Sequence, residues 1–227
     1  MQPVDSTTFI KTDALAPPHG WFRWAGLFAV TAAIAAVAAD ITAVALLKSA
    51  TFLETSVSAT AIGKHSWFVD AAIYLTGAAI AVLAFAFHHW NIEHGRYRFG
   101  IFCLAALVIT IFLLAGWDAY DPLEVPDFGF HMILVYALSA LFPLAALTLA
   151  RALSKVRPFW GYFSITLAVL WLICGPIYAV TPEELEGLFQ RIAFVFMLLW
   201  VAGIGLMFVS VTAPRAERRV DPSAEGA

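Results

Sequence analysis

An all-α bundle of six transmembrane helices is the fold class this chain predicts, on three observations. Six stretches free of Asp, Glu, Lys and Arg occupy 24–39, 71–92, 99–117, 128–150, 158–182 and 192–214, the first continuing past a lone Asp40 to Leu47. About 20 apolar residues carry a helix across roughly 30 Å of hydrocarbon. The composition is 62% hydrophobic and 13% charged with mean hydropathy +0.84, far from the quarter or so of charged residues in a soluble domain. The charges lie between the runs and are sorted by side. Ten of the thirteen Lys and Arg fall at the N-terminus, the second loop, the fourth loop and the C-terminus: Lys11, Arg23, Arg96, Arg98, Arg151, Lys155, Arg157, Arg215, Arg218 and Arg219. The positive-inside rule then places both termini in the cytoplasm.

Residues 1–20 lack the basic start, short apolar run and small-residue cleavage site of a secretory signal, and are expected to remain as a cytoplasmic tail. The transmembrane domain is expected over 21–212 and a second cytoplasmic tail over 213–227. The first helix is rich in alanine (Ala32, Ala33, Ala35, Ala36, Ala38, Ala39), and the second carries Gly77 with Ala81 four residues on. Such faces suit membrane helices, which associate through small residues and polar contacts rather than a hydrophobic driving force. The third helix holds Cys103 near its start, and the fifth holds Cys174 near the opposite end. Their different depths predict packing residues rather than a disulfide. Pro143 and Pro176 bend the fourth and fifth helices and free a carbonyl in each, which a neighbour must satisfy. Trp21, Trp24, Trp67, Trp90, Trp117 and Trp160 fall at helix ends as an aromatic belt, whereas Trp171 and Trp200 are expected in the core.

Ten of the sixteen acidic residues fall on the outer side or in the outer halves of helices: Asp40, Glu54, Asp70, Asp118, Asp121, Glu124, Asp127, Glu183, Glu184 and Glu186. An ionisable group at membrane depth costs several kcal/mol unless paired or wetted. Asp40 two turns from the end of the first helix, Asp70 in the first turn of the second, Asp118 ending the third, His131 opening the fourth, and Gln190 with Arg191 early in the sixth all share the outer third. They predict an outward-facing polar pocket.

Four readings of that set remain open. Arg191 would pair with Asp40 or Asp118 and hold the bundle together. As a free guanidinium it would clamp a phosphate or carboxylate head, with Gln190 and His131 as further donors. A metal hydrolase would hold zinc with His131, His65 and carboxylates such as Asp118, although no H-x-x-x-H spacing puts two imidazoles on one helical face. A proton carrier would load Asp40 or Asp70, but the inner half lacks an acidic residue to pass the proton onward. Elsewhere, Glu54, Ser56 and Ser58 read as a polar loop, His88, His89 and His94 with Arg96 and Arg98 as an interfacial anchor for anionic lipid, and Pro182–Glu186 as acidic capping of the last helix.

The outer Ser56-Val57-Ser58 segment, the acidic end of the third helix (Asp118, Asp121), His131 opening the fourth and Gly187-x-x-Gln190-Arg191 opening the sixth resemble the bacterial membrane family catalogued as domain of unknown function 998, over roughly residues 22–212. The resemblance implies a six- or seven-helix protein of the bacterial inner membrane with no assigned activity. The expected ligand-binding set is Asp40, Asp70, Asp118, Asp121, His131, Gln190 and Arg191. Its expected ligand is a lipid or small amphiphile at the outer leaflet, and the rival is a structural or partner-binding subunit. Membrane lipids are the expected partners, nucleic acid is not, and no cofactor is expected, zinc being the one the residues would admit.

Overall fold

The structure is a computed structural model that describes residues 20–47, 51–60, 66–93, 95–120 and 129–212. Both expected tails and most of the loop following the third span lie outside them. Among the described residues there are seven helices: α1 Trp21–Leu46, α2 Val57–Thr60, α3 Trp67–Trp90, α4 Arg96–Tyr120, α5 Phe130–Val156, α6 Pro158–Ala179 and α7 Glu186–Thr212, with a 3-10 turn at Glu183–Leu185 before α7. All except the single turn α2 are long and apolar enough to cross a membrane. The chain is an all-α, multi-pass membrane protein, with no strand among the described residues. Apolar residues cover the outward faces as well as the inward ones: Ile34, Phe85, Phe102, Ile109, Ile133 and Leu206 are all exposed, as helices surrounded by lipid require.

The six spans form a ring. Each packs against its neighbours in sequence, and α7 closes against α1, with a smaller contact across the ring between α3 and α7. The start of α1 and the end of α7 lie at one end, here the proximal end; the ends of α1, α4 and α6 and the starts of α3, α5 and α7 lie at the other, the distal end.

Local sequence explains the proximal corners. Asn91 ends α3 with φ +43°, and the buried Tyr97 hydroxyl donates to the Phe87 carbonyl at 2.6 Å, clipping α4 to the end of α3. Glu93 in that corner meets Lys155 Nζ at 3.0 Å and Arg151 Nε at 3.5 Å on α5. Between α5 and α6 stands only Arg157, held extended (φ −155°, ψ 137°). Pro158 enforces this, because a residue before proline avoids the helical region while proline itself suits the first helical position.

Interhelical contacts use small residues, as expected, but one close backbone approach involves a pair outside the alanine stripe. Gly26 on α1 and Gly205 on α7 face each other so closely that a Cβ on either would run into the other's carbonyl oxygen. Gly77 faces Ile111 and Phe112 of α4. The proximal interior is filled with rings: Phe208 lies 5.6 Å from Phe22, 5.3 Å from Phe87 and 5.4 Å from Trp90 between centroids. Trp90 is therefore not a belt residue. It is only 8% exposed because α7 brings Phe208 across it, whereas Trp24 and Trp67 do face outward. Trp171 and Trp200 are buried as expected, and Cys103 and Cys174 are free, buried thiols.

Candidate functional site

Asp40 on α1 and Arg191 on α7 meet at the distal end although 151 positions separate them. Arg191 Nε donates to Asp40 Oδ2 at 2.9 Å and Nη2 to Oδ1 at 3.2 Å, a bidentate pair. Both residues are more than nine-tenths buried. Taking the two charges out of water is costly, and fork-to-fork geometry with further hydrogen bonds is what offsets it. Those further bonds come from the main chain. Arg191 Nη1 donates to Thr55 O at 2.6 Å, Phe52 O at 3.3 Å and Gly187 O at 3.2 Å, and the Phe52 ring lies 5.4 Å from the guanidinium carbon. Of the two partners expected for Arg191, the structure supplies Asp40.

This arrangement docks the 51–57 segment onto the start of α7. Leu188 N–H donates to Leu53 O at 3.1 Å, and Val57 N–H donates to Gln190 Oε1 at 2.5 Å. Gly187 is required where the loop lands, since a Cβ there would collide with the Thr55 carbonyl. The loop thus satisfies one of the N–H groups that a helix start leaves without an intrahelical partner, that of Leu188.

Beside this junction, inside the ring, is a cavity of about 310 Å³. Ile73, Ile111, Val135, Leu138, Phe194 and Met197 make its walls apolar, and Trp171 stands beside them deeper in the bundle. Its polar lining comes from Ser56 on the docked loop, Thr76 on α3, His131 and Ser139 on α5, Tyr178 on α6, and Glu186 and Gln190 on α7. The Tyr178 hydroxyl donates to Glu186 Oε1 at 2.8 Å across the α6–α7 connection.

The proline in α5 shapes this cavity. Pro143 cannot donate to the carbonyl of Ser139 four residues earlier, and the Trp171 indole N–H donates to it at 3.1 Å instead. That bond fixes α6 to α5 at the cavity wall. Phe142 stacks edge-on against Trp171 at 4.9 Å and against Trp200 at 6.0 Å, and Trp200 donates to Ser164 Oγ at 3.0 Å. Of these rings Trp171 lines the cavity, and Phe142 and Trp200 pack behind it.

The expected site residues therefore fall into separate groups. Asp40 and Arg191 are brought together, but neither lines the cavity; His131 and Gln190 do line it. Asp70 lies half-buried in the first turn of α3 and does not line the cavity. Asp118 is in the last turn of α4, its side chain outside the description, and Asp121 and His65 lie outside the described residues. Among the described residues, no three His, Cys, Asp or Glu stand close enough together to hold a metal ion. Tyr178 and Glu186 were not anticipated as site residues. The available signal was a tyrosine and a glutamate on opposite sides of one short interhelical connection.

No curated protein and no solved structure matches the chain. Residues 30–207 match the family described as Protein of unknown function (DUF998), a span running from α1 to α7 that takes in the ion pair, the docked loop and the cavity, and the chain belongs to that family.

Proposed function

We propose that this protein binds a lipid or small amphiphile from the outer leaflet of the bacterial inner membrane, with both termini in the cytoplasm and the distal cavity facing outward. The observation that carries the reading is the cavity's division of chemistry. Apolar walls surround it on α3, α4, α5 and α7, and hydrogen-bonding side chains gather at the distal helix ends. Binding sites for small molecules have this character: a mostly apolar enclosure with a few convergent polar groups. The placement of ten of the thirteen Lys and Arg on the terminal side supports the orientation.

Arg191 serves this site indirectly. Its charge is neutralised by Asp40 and its remaining reach is used on loop carbonyls, so its role is to hold Ser56 and Gln190 where they border the cavity. The head group then meets Ser56, His131, Tyr178, Glu186 and Gln190.

The test is to purify the wild type and Ala193→Trp, which fills the cavity from its α7 wall, and to identify retained lipid by native mass spectrometry. The wild type is expected to hold about one amphiphile per chain and the filled variant none, with similar melting temperatures. Identical adducts on both proteins would sink the proposal.

A further inference from the structure

We infer that the head-group end of the cavity recognises a cation, so that its ligand is a single-chain amphiphile with a basic, amine-type head; this rests on the amphiphile reading above. Among the described residues that line the cavity, Glu186 is the one carboxylate and there is no Lys or Arg. The nearby Arg191 does not reverse that sign, because Asp40 grips it through both oxygens. Tyr178 fixes the Glu186 carboxylate through Oε1, and Oε2 has no hydrogen-bond partner among the described residues. A fixed carboxylate with an oxygen to spare is a receptor for an ammonium group.

The surroundings have the same sign. Among the described residues, Asp40, Glu54, Asp70, Glu184 and Glu186 stand in the distal connections and the helix ends beside them, against Arg191. The α7 N-terminus contributes about half a positive charge, which leaves the excess negative. Such a field concentrates cations at the mouth and disfavours phosphate. Size sets the tail. A cavity of about 310 Å³ stands at the lower end of the roughly 300–1,000 Å³ of small-molecule sites, which suits one chain of moderate length better than the two chains of a phospholipid.

The experiment compares three probes with one tail, dodecylammonium, 1-dodecylglycerol and dodecyl phosphate, titrated calorimetrically into the full chain in phosphatidylcholine nanodiscs, with empty discs subtracted. Dodecylammonium is expected to bind about tenfold more tightly than dodecylglycerol, and dodecyl phosphate more weakly than both. Glu186→Gln is expected to erase the preference, bringing dodecylammonium down to the level of dodecylglycerol on the same variant; Tyr178→Phe, which keeps the charge, retains it. Equal binding of the three heads to the wild type, or a preference that survives in Glu186→Gln, overturns the cation inference and leaves the amphiphile reading standing. Should Glu186→Gln fail to fold, the wild-type ranking alone decides. Saturable binding of none of the probes overturns both.

Discussion

The proximal and distal halves of this ring are built from the same six helices and packed in opposite ways. Near the termini, Phe22, Phe87, Trp90 and Phe208 fill the interior, and α1 and α7 touch backbone to backbone at Gly26 and Gly205. At the other end the helices enclose a cavity, and α7 reaches α1 through an ion pair and a docked loop. The difference shows how one short bundle joins a filled base to a hollow end: dispersion contacts carry the first, and a few directed polar bonds carry the second. Lipid supplies no hydrophobic drive for either.

The largest effect is expected where the hollow end has one polar hub. Arg191→Ala strands a buried carboxylate, and such removals cost about 3–5 kcal/mol; denaturation in mixed micelles should show the loss, and hydrogen exchange should show residues 51–57 released. Replacing both partners, Asp40→Leu with Arg191→Met, should recover most of the stability and none of the loop protection. Recovery of both would mean that the loop docks without the guanidinium.

In the filled half, Phe208→Ala should cost about 2 kcal/mol, the share of a usual Phe→Ala loss that comes from the void rather than from transfer out of water. Val135→Ala, which only enlarges the existing cavity, should cost far less. Equal melting shifts for the two would erase the contrast between the halves. Gly26→Ala should cost about 1–3 kcal/mol by forcing α1 and α7 apart.

Between the halves, Trp171→Phe should lose about 1–3 kcal/mol by leaving the Ser139 carbonyl unsatisfied. Pro143→Ala restores a backbone donor there, so the double variant should lose less than the sum of the singles. Strict additivity would show that the indole is not the substitute for the missing N–H. The smallest change belongs to the proximal surface. Lys155→Ala removes a half-exposed partner of Glu93 and should shift stability by less than about 0.5 kcal/mol.

The six spans were legible because charge is expensive in hydrocarbon, so helix boundaries are written in composition. The Asp40–Arg191 pair was one of two that depth allowed, and only the ring closure of α1 on α7 selects it. His131 and Gln190 could be placed near a pocket for the same reason. The loop docking could not be read, because Arg191 binds the main-chain oxygens of Phe52 and Thr55, and a carbonyl has no letter in a sequence. Nor could the cavity, which is a shortage of bulk shared among five helices. Trp90 misled because its position at a helix end suggested an interface, while its burial depends on a phenylalanine 118 positions later.

The ion pair also has a schedule. Asp40 leaves the ribosome 151 residues before its partner, and at about 5–20 residues per second that interval is roughly 8–30 s. Throughout it, α1 carries an uncompensated carboxylic acid about 9 Å from its end. Until the last helix is translated, the Asp40 carboxyl therefore lacks the partner it has in the finished bundle.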